Sequence, residues 1–516
     1  MRNLLALLAL ASLAVAGCSQ PPPAPTPPPL PDNHLASMMD DQRVDVPREL
    51  AGGLDVALRP TNYRGGEPNI GITSAGAMFV IGGQVTLKST DLGRTWSESF
   101  NMTAFWGPAA DSPLPNSWPT VANQSVPQVP IVGTPGPDQV RSFTRSSDPM
   151  LWVDPDTDRI FTDHMTGLYC SKLFLSDDEG AAWTPSPVDC GVPVNDHQKL
   201  MTAHYGPDGP PSGNPAYPNV VYYCYNKLVA TNCAVSFDGG LTFQYDRPAT
   251  IGVKGGGEAS APQAQAACGG LNGHPAGAPD GTVYVPLNDG CPGPVVLVTT
   301  DNGLTWTARD GPTAHGAEEI DPDITVTPDG TAYMLYRGKD HLQYLVRSHD
   351  RFATFEGPWR VSLPEVRSTV YTVITSGDDG RIAMAYLGTR DSKKAPSAAE
   401  NTTRWHLYET VSLDAEAQVP TFTTKQVTPD DDPVQIGCVW LNGGGNPCRN
   451  MLDFIDMAHT PDGRPVVVFT DGCTKDCAGN ATATEKQSRS GNVTVAVMEA
   501  GPSLFAAKGL LAPSKP

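Results

Sequence analysis

Four carboxylates stand within six positions in Glu318-Glu319-Ile320-Asp321-Pro322-Asp323. Such a run can hold a hard cation or pair with guanidinium groups, and Arg337 and Arg367 follow it in the chain. Asp154, Asp156 and Asp158, in DPDTD, alternate like part of a calcium loop. They lack the turn glycine and the distal glutamate of such a loop, so they read as a plain turn. Cys473 and Cys477 have the spacing of half a zinc site, but no second Cys/His pair completes it. No metal centre is therefore expected among the site residues. A structural cation such as calcium is the one cofactor left open. His197 and His274 have the chemistry of ligands or bases, with satisfied core histidines as the alternative.

The bulk composition limits where such residues can work. The chain has 516 residues and a formal charge of −20, which excludes a nucleic-acid partner because phosphate binding needs a basic face. With 51 Gly and 51 Pro, short strands and turns are favoured over long helices. Residues 1–17 read as a signal peptide: one Arg, an apolar run, then Val15-Ala16-Gly17 before Cys18. That ending resembles a bacterial lipobox, which implies lipidation of Cys18 and an outer-membrane lipoprotein held by its acyl chains. Residues 18–44 continue as a proline-rich tether, and 45–516 form the folded body. The proline run Gln20–Asn33 spans on the order of 40 Å as polyproline II.

Ten further cysteines fall into neighbouring pairs, as suits an exported chain. The expected disulfides are Cys170–Cys190, Cys224–Cys233, Cys268–Cys291, Cys438–Cys448 and Cys473–Cys477.

A repeat fixes the elements that must position the polar residues. STDLGRTW (89–96) returns as SDDEGAAW (176–183), SFDGGLTF (236–243) and TTDNGLTW (299–306), and in worn form as SHDRFATF (348–355). Each copy follows an alternating apolar run, so it stands where one strand turns into the next. Asp91, Asp178, Asp238, Asp301 and Asp350 can accept backbone N–H groups in a tight turn. The glycine two positions later permits a left-handed backbone, and the aromatic residue folds back under the hairpin. Paired apolar segments with a turn between them, such as DITVTPDGTAYMLY (323–336), accompany the knots. Strand pair and knot hairpin make a four-stranded unit. Seven such units occur, the last two without a clear knot. Sheets of this kind bury both faces by stacking around an axis. The fold class is all-β: a β-propeller of four-stranded antiparallel blades, seven in number, with six as the alternative.

Inner strands of a propeller line its channel, so the polar residues just ahead of them mark the site. They are Glu67, Asn69, Asp148, Asp196, His197, His274, Glu318, Glu319, Asp321, Asp323, Arg367, Tyr371, Asp453 and Asp456, with Arg337 at the end of an inner hairpin.

The S-x-D-x-G-x-T-W repeat resembles the Asp-box, or BNR repeat, of sialidase-like propellers over roughly residues 60–500. The resemblance implies an exo-acting glycoside hydrolase on external glycans. It implies a Tyr nucleophile at Tyr371, activated by Glu318 or Glu319, an acid at Asp148, and a carboxylate clamp that includes Arg337 and Arg367. His197 and His274 would contact substrate. The family's first clamp arginine has no counterpart on the first inner strand, which reads GGEPNIGIT, and Arg59 and Arg64 lie out of pattern. That departure keeps two alternatives open: a non-catalytic propeller that binds a glycan or protein, and a periplasmic assembly factor. The ligand is expected to be a glycan or glycoconjugate, the membrane is met only through the lipid anchor, and the chain is expected to be a monomer.

Overall fold

The computed structural model describes residues 53–102, 147–166, 170–190, 196–211, 215–227, 230–248, 271–287, 293–318, 321–441, 446–474, 477 and 491–513. Seven antiparallel sheets hold nearly all the strands, each built on four, and in six of them the four follow one another in the chain. Blade 1 is Asn69–Ile72, Met78–Gly82, Val85–Ser89 and Ser97–Asn101. Blades 2 to 6 repeat this order with inner strands Ser147–Val153, Asp196–Ala203, Ala276–Gly277, Asp323–Val326 and Ser368–Ser376. Blade 7 starts with Asp456–His459, Pro465–Asp471 and Asn492–Pro502. Its fourth strand is Asp55–Arg64, from the other end of the body, running from Asp55 opposite Ala500 to Arg64 opposite Asn492. The innermost strands touch in a closed round, blade 1 against blade 2 and so on until blade 7 meets blade 1. The propeller has seven blades, and the sixfold alternative falls.

Burial explains why the stack is stable. In blade 5 the strands Ala332–Arg337 and Gln343–Ser348 are buried along their whole length. Met334 and Tyr336 pack toward blade 4, while Tyr333 and Leu335 pack toward blade 6. Each further interface has its own apolar cluster of the same make-up, so the core is distributed between blades.

The repeated corners are hydrogen-bonded knots. Ser89 Oγ donates to Asp91 Oδ1 at 2.8 Å and accepts Gly93 N–H at 2.9 Å. Asp91 in turn accepts Thr95 N–H at 2.9 Å and Thr95 Oγ1–H at 2.6 Å. The same pattern holds at Asp238, Asp301 and Asp350, and at Asp178 with Ala182 N–H in place of the threonine. The aromatic residue then wedges against the preceding blade. Trp306, for example, meets Tyr222 of blade 3 edge-on. In the worn copy Phe352 occupies the glycine place with φ 56°, and its ring fills space beside Tyr284.

A sixth knot exists that the spacing did not reveal. Ser412 donates to Asp414, and Asp414 accepts Thr421 N–H at 2.9 Å. Extra residues before the threonine hide the pattern. Blade 7 has no such corner because its outer strand is not continuous with its third.

The disulfides Cys224–Cys233, Cys438–Cys448 and Cys473–Cys477 form. Cys18, Cys268 and Cys291, and the side chains of Cys170 and Cys190, lie outside the described residues.

Candidate functional site at the channel mouth

Three inner strands start irregularly. In blade 2 Ser147 pairs with Met165 but Pro149 pairs with His164. In blade 3 the register slips between Asp196 and Lys199, and in blade 6 between Val370 and Val373. The slip contains a residue in the left-handed region each time: Asp148 (φ 48°), His197 (φ 48°) and Tyr371 (φ 60°). Glu67 (φ 51°) ahead of blade 1 and Leu452 (φ 62°) ahead of blade 7 share that conformation. None is glycine, so each costs about 1–2 kcal/mol of backbone strain. Bulges of this kind re-aim a side chain, here toward the axis.

The re-aimed groups meet. Tyr371, 1% exposed, donates its hydroxyl to Leu452 O at 2.6 Å. The next residue, Asp453, gives its N–H to Glu67 Oε1 at 2.9 Å. Its carboxylate is gripped by both Nη atoms of Arg449, Nη2 at 2.6 Å. Gln198 Nε2 donates to Asp148 O, which ties blade 3 to the bulge of blade 2. His197 Nδ1 lies 3.1 Å from Asp321 Oδ1, and its Nε2 lies 3.7 Å from Asp453 Oδ2. Lys199 Nζ is 3.2 Å from Asp321 Oδ2 and 3.5 Å from the centre of the Phe454 ring. Blades 3, 5 and 7 are thereby joined across the axis. One step along the inner strands, His274 Nδ1 stands 3.7 Å from Asp323 Oδ2 and 3.8 Å from Asp456 Oδ1. The mouth thus draws side chains from every blade.

Some residues at the starts of these strands also hold the ring together. Asn69 Oδ1 accepts Leu151 N–H of blade 2 at 3.1 Å. Asp323 Oδ2 accepts Ile374 N–H of blade 6 at 2.8 Å, and Asp456 Oδ2 accepts Ile70 N–H of blade 1 at 3.0 Å. In blades 1, 5 and 7 the first residue of the inner strand clips the next blade's inner strand.

Burial sets the protonation. It is the main cause that lifts Asp148 to about 6, with a bond from Glu67 opposing and nearby Asp196 reinforcing. Glu67 is pushed well above the carboxylate range by burial and then by Asp148 and Asp453. Asp456 rises to about 6 through burial, against the pull of His274. Burial alone would lower His197, but Asp321 and Asp453 outweigh it and raise the imidazole to about 9. Asp321 is held well below its usual range: His197 and Lys199 overcome its burial. Tyr371 is pushed well above the phenol range by burial, then by Asp453 and Glu67.

The expected residues divide. Asp148, His197, His274 and Tyr371 come to the mouth. Arg337 and Glu318 form a network of their own: Arg337 Nη2 pairs with Glu318 Oε2 at 2.5 Å, and Nη1 donates to Thr369 O at 2.7 Å. His341 joins the same glutamate at 2.6 Å. Arg367 is exposed, and Glu319 lies outside the described residues. The carboxylates beside Tyr371 are Glu67 and Asp453, and the guanidinium there is Arg449. Lys199, Arg449 and Phe454 escaped the sequence reading. Their only signal is position: Lys199 two residues after His197, and the other two flanking Asp453. Among the described residues no group of three or more His, Cys, Asp or Glu is arranged to hold a metal ion.

Residues 221–419 match the model of the BNR repeat-like domain. No curated protein sequence matches the chain. Solved structures similar to the chain include the following three. The intramolecular trans-sialidase of Ruminococcus gnavus is 14% identical, with 85% of this chain and 95% of that one covered and a TM-score of 0.37. An Aleuria aurantia lectin is 11% identical, covering 63% and 87%, with a TM-score of 0.38. YCF48 bound to D1 peptide is 10% identical, covering 88% and 99%, with a TM-score of 0.43.

Proposed function

Taking the BNR-type propeller as its premise, we propose that the mature chain is a lipid-anchored, glycan-processing protein, an exo-acting glycoside hydrolase with Asp148 as proton donor. One observation carries this reading: strained non-glycine residues bring Glu67, Asp148, His197 and Tyr371 to a single place. Strain of that kind needs a use, and the proton retained by Asp148 to about 6 supplies one. In the proposed reaction Asp148 gives its proton to the glycosidic oxygen as the C–O bond breaks. Water adds to the anomeric carbon and loses its proton to a second carboxylate, Asp453.

A second reading, binding without turnover, is favoured by the Tyr371 hydroxyl bond to Leu452 O, because a nucleophile held there must first be released.

The mature chain, incubated with fluorogenic aryl glycosides that include a sialoside, separates the two. Turnover that Asp148→Asn lowers about a hundredfold or more supports hydrolysis. Retention on a glycan array without turnover supports binding, and neither result on any glycan would sink both. Tyr371→Phe tests the tyrosine's part: surviving turnover fits direct attack by water, whereas abolished turnover together with loss of a trappable glycosyl-tyrosine would replace that step with attack by Tyr371. Anchoring is tested separately. Cys18→Ser should move the protein from the membrane fraction to the soluble one; unchanged membrane retention would refute lipidation.

A further inference from the structure

Glu67, 1% exposed, is the most deeply buried acid at the mouth, and the proposed reaction gives it no task. Its Oε1 accepts Asp453 N–H at 2.9 Å, and no N–H or O–H reaches Oε2 among the described residues. Its carboxyl is hydrogen-bonded to that of Asp148 and lies beside that of Asp453. The nearby guanidinium, Arg449, turns both Nη atoms to Asp453 instead. A bond between two carboxyl groups needs a proton, because two carboxylates offer only acceptors. One of the pair must therefore keep its own.

The surroundings decide which. Glu67 faces Asp148, Asp453 and the phenol of Tyr371, and burial and both acids oppose its charge. Asp148 faces Asp196, which opposes its charge, and His197, which favours it, with Asp163 and Arg449 also within reach of its field. The proton belongs on Glu67, and Asp148 is the acceptor. We infer that Glu67 is a positioning residue: it stays protonated, donates to Asp148 and sets the acidity of that proton donor, so that the two acids titrate as one pair. Asp148's part as donor rests on the hydrolase reading; the shared proton does not. Above about 6 the pair carries one proton, and below it two.

The pH–rate profile of the mature chain on an aryl glycoside that it turns over tests this. Glu67→Gln keeps an oxygen for Asp453 N–H and offers Asp148 an N–H in place of the O–H. Its fall in rate should stay near pH 6. Glu67→Leu removes the donor, so the Asp148 anion loses a bond and the fall should move up by about one pH unit or more. A charged Glu67 requires the opposite sign: either change would remove a neighbouring negative charge, and the fall would move down. An infrared comparison at pH 7 needs no turnover. The natural chain should show one protonated-carboxyl band that Glu67→Gln lacks. If Glu67→Leu fails to fold, Glu67→Gln and the infrared comparison decide. A downward move in either variant, an unmoved profile in Glu67→Leu, or no band that depends on Glu67 would overturn the shared proton and leave hydrolysis standing. If no glycoside is turned over, the hydrolase reading falls and the infrared band alone decides the pair.

Discussion

Single residues at the mouth are held in protonation states that free side chains would not keep, and this has a kinetic consequence. With Asp148 as donor, turnover needs its protonated form and should fall as pH rises through about 6. A pH–rate profile checks this; a rate that is flat from pH 5 to 8 would remove Asp148 from the role. A second residue, far from the axis, makes a stability prediction. Glu409 is fully buried on the third strand of blade 6, and neither carboxylate oxygen has a hydrogen-bond partner among the described residues. Burial raises it to about 8, with Lys425, its opposite number on the fourth strand, only partly opposing. The folded state therefore binds a proton that the unfolded state releases. The associated stability is complete below the ordinary glutamate range and is lost as pH rises through about 8. Glu409→Gln should flatten this decline and raise the melting temperature at pH 9, by up to a few kcal/mol of stability. An unchanged pH–stability curve would show that water or Lys425 already satisfies the acid. Asp148 and Tyr371 could be picked from the sequence because they precede inner strands. Glu67 and Asp453 could be picked in the same way, but Arg449, and the fact that these groups meet, could not. Glu67 meets Asp453 and Arg449 only through ring closure, which brings residues near the two ends of the body together.

At the scale of the element, the corner knots were legible because their chemistry is local: hydroxyl, carboxylate and glycine act within eight positions. The Ser412–Asp414–Thr421 knot was not, because its loop is longer and only the hydrogen bonds give it away. The clips at Asn69, Asp323 and Asp456 were equally hidden, since each acts on the next blade. The knots also carry a demand on space that spacing does not show. Gly180 has φ 81°, and a Cβ there would stand 2.1 Å from Ser99 Oγ and 3.0 Å from the Phe79 ring of blade 1. Ser99 Oγ–H also donates to Gly180 O at 3.0 Å. Gly209, in an inner-hairpin turn with φ 68°, has nothing within 4 Å of that position. Gly209→Ala should cost only the backbone term, about 1–2 kcal/mol. Gly180→Ala should cost that plus overpacking of about 1–3 kcal/mol. Denaturant melts of the two variants give the comparison, and equal losses would mean that blade 1 yields freely.

At the scale of the whole molecule, the seven interfaces make a ring that one strand completes. Asp55–Arg64 covers the edge of Asn492–Pro502, and its Arg59 reaches Glu499. Removal of residues 55–64 should leave a bare sheet edge and an open ring. We expect loss of the monomer peak on size exclusion and a lower melting temperature. A truncated chain that elutes as a monomer with an unchanged melt would show that blade 7 closes without it.

The same strand imposes an order of events during biosynthesis. Arg59 and Glu499 lie 440 positions apart, so the earliest strand of the body to leave the ribosome is among the last to find its partner. Until then it must wait as an unmated ribbon, while the intervening blades either assemble around a gap or stay loose. Loop closure of that length slows refolding more than it weakens the finished product. Anything that shields that ribbon until the last blade is made would accordingly speed folding more than it would stabilise the folded ring.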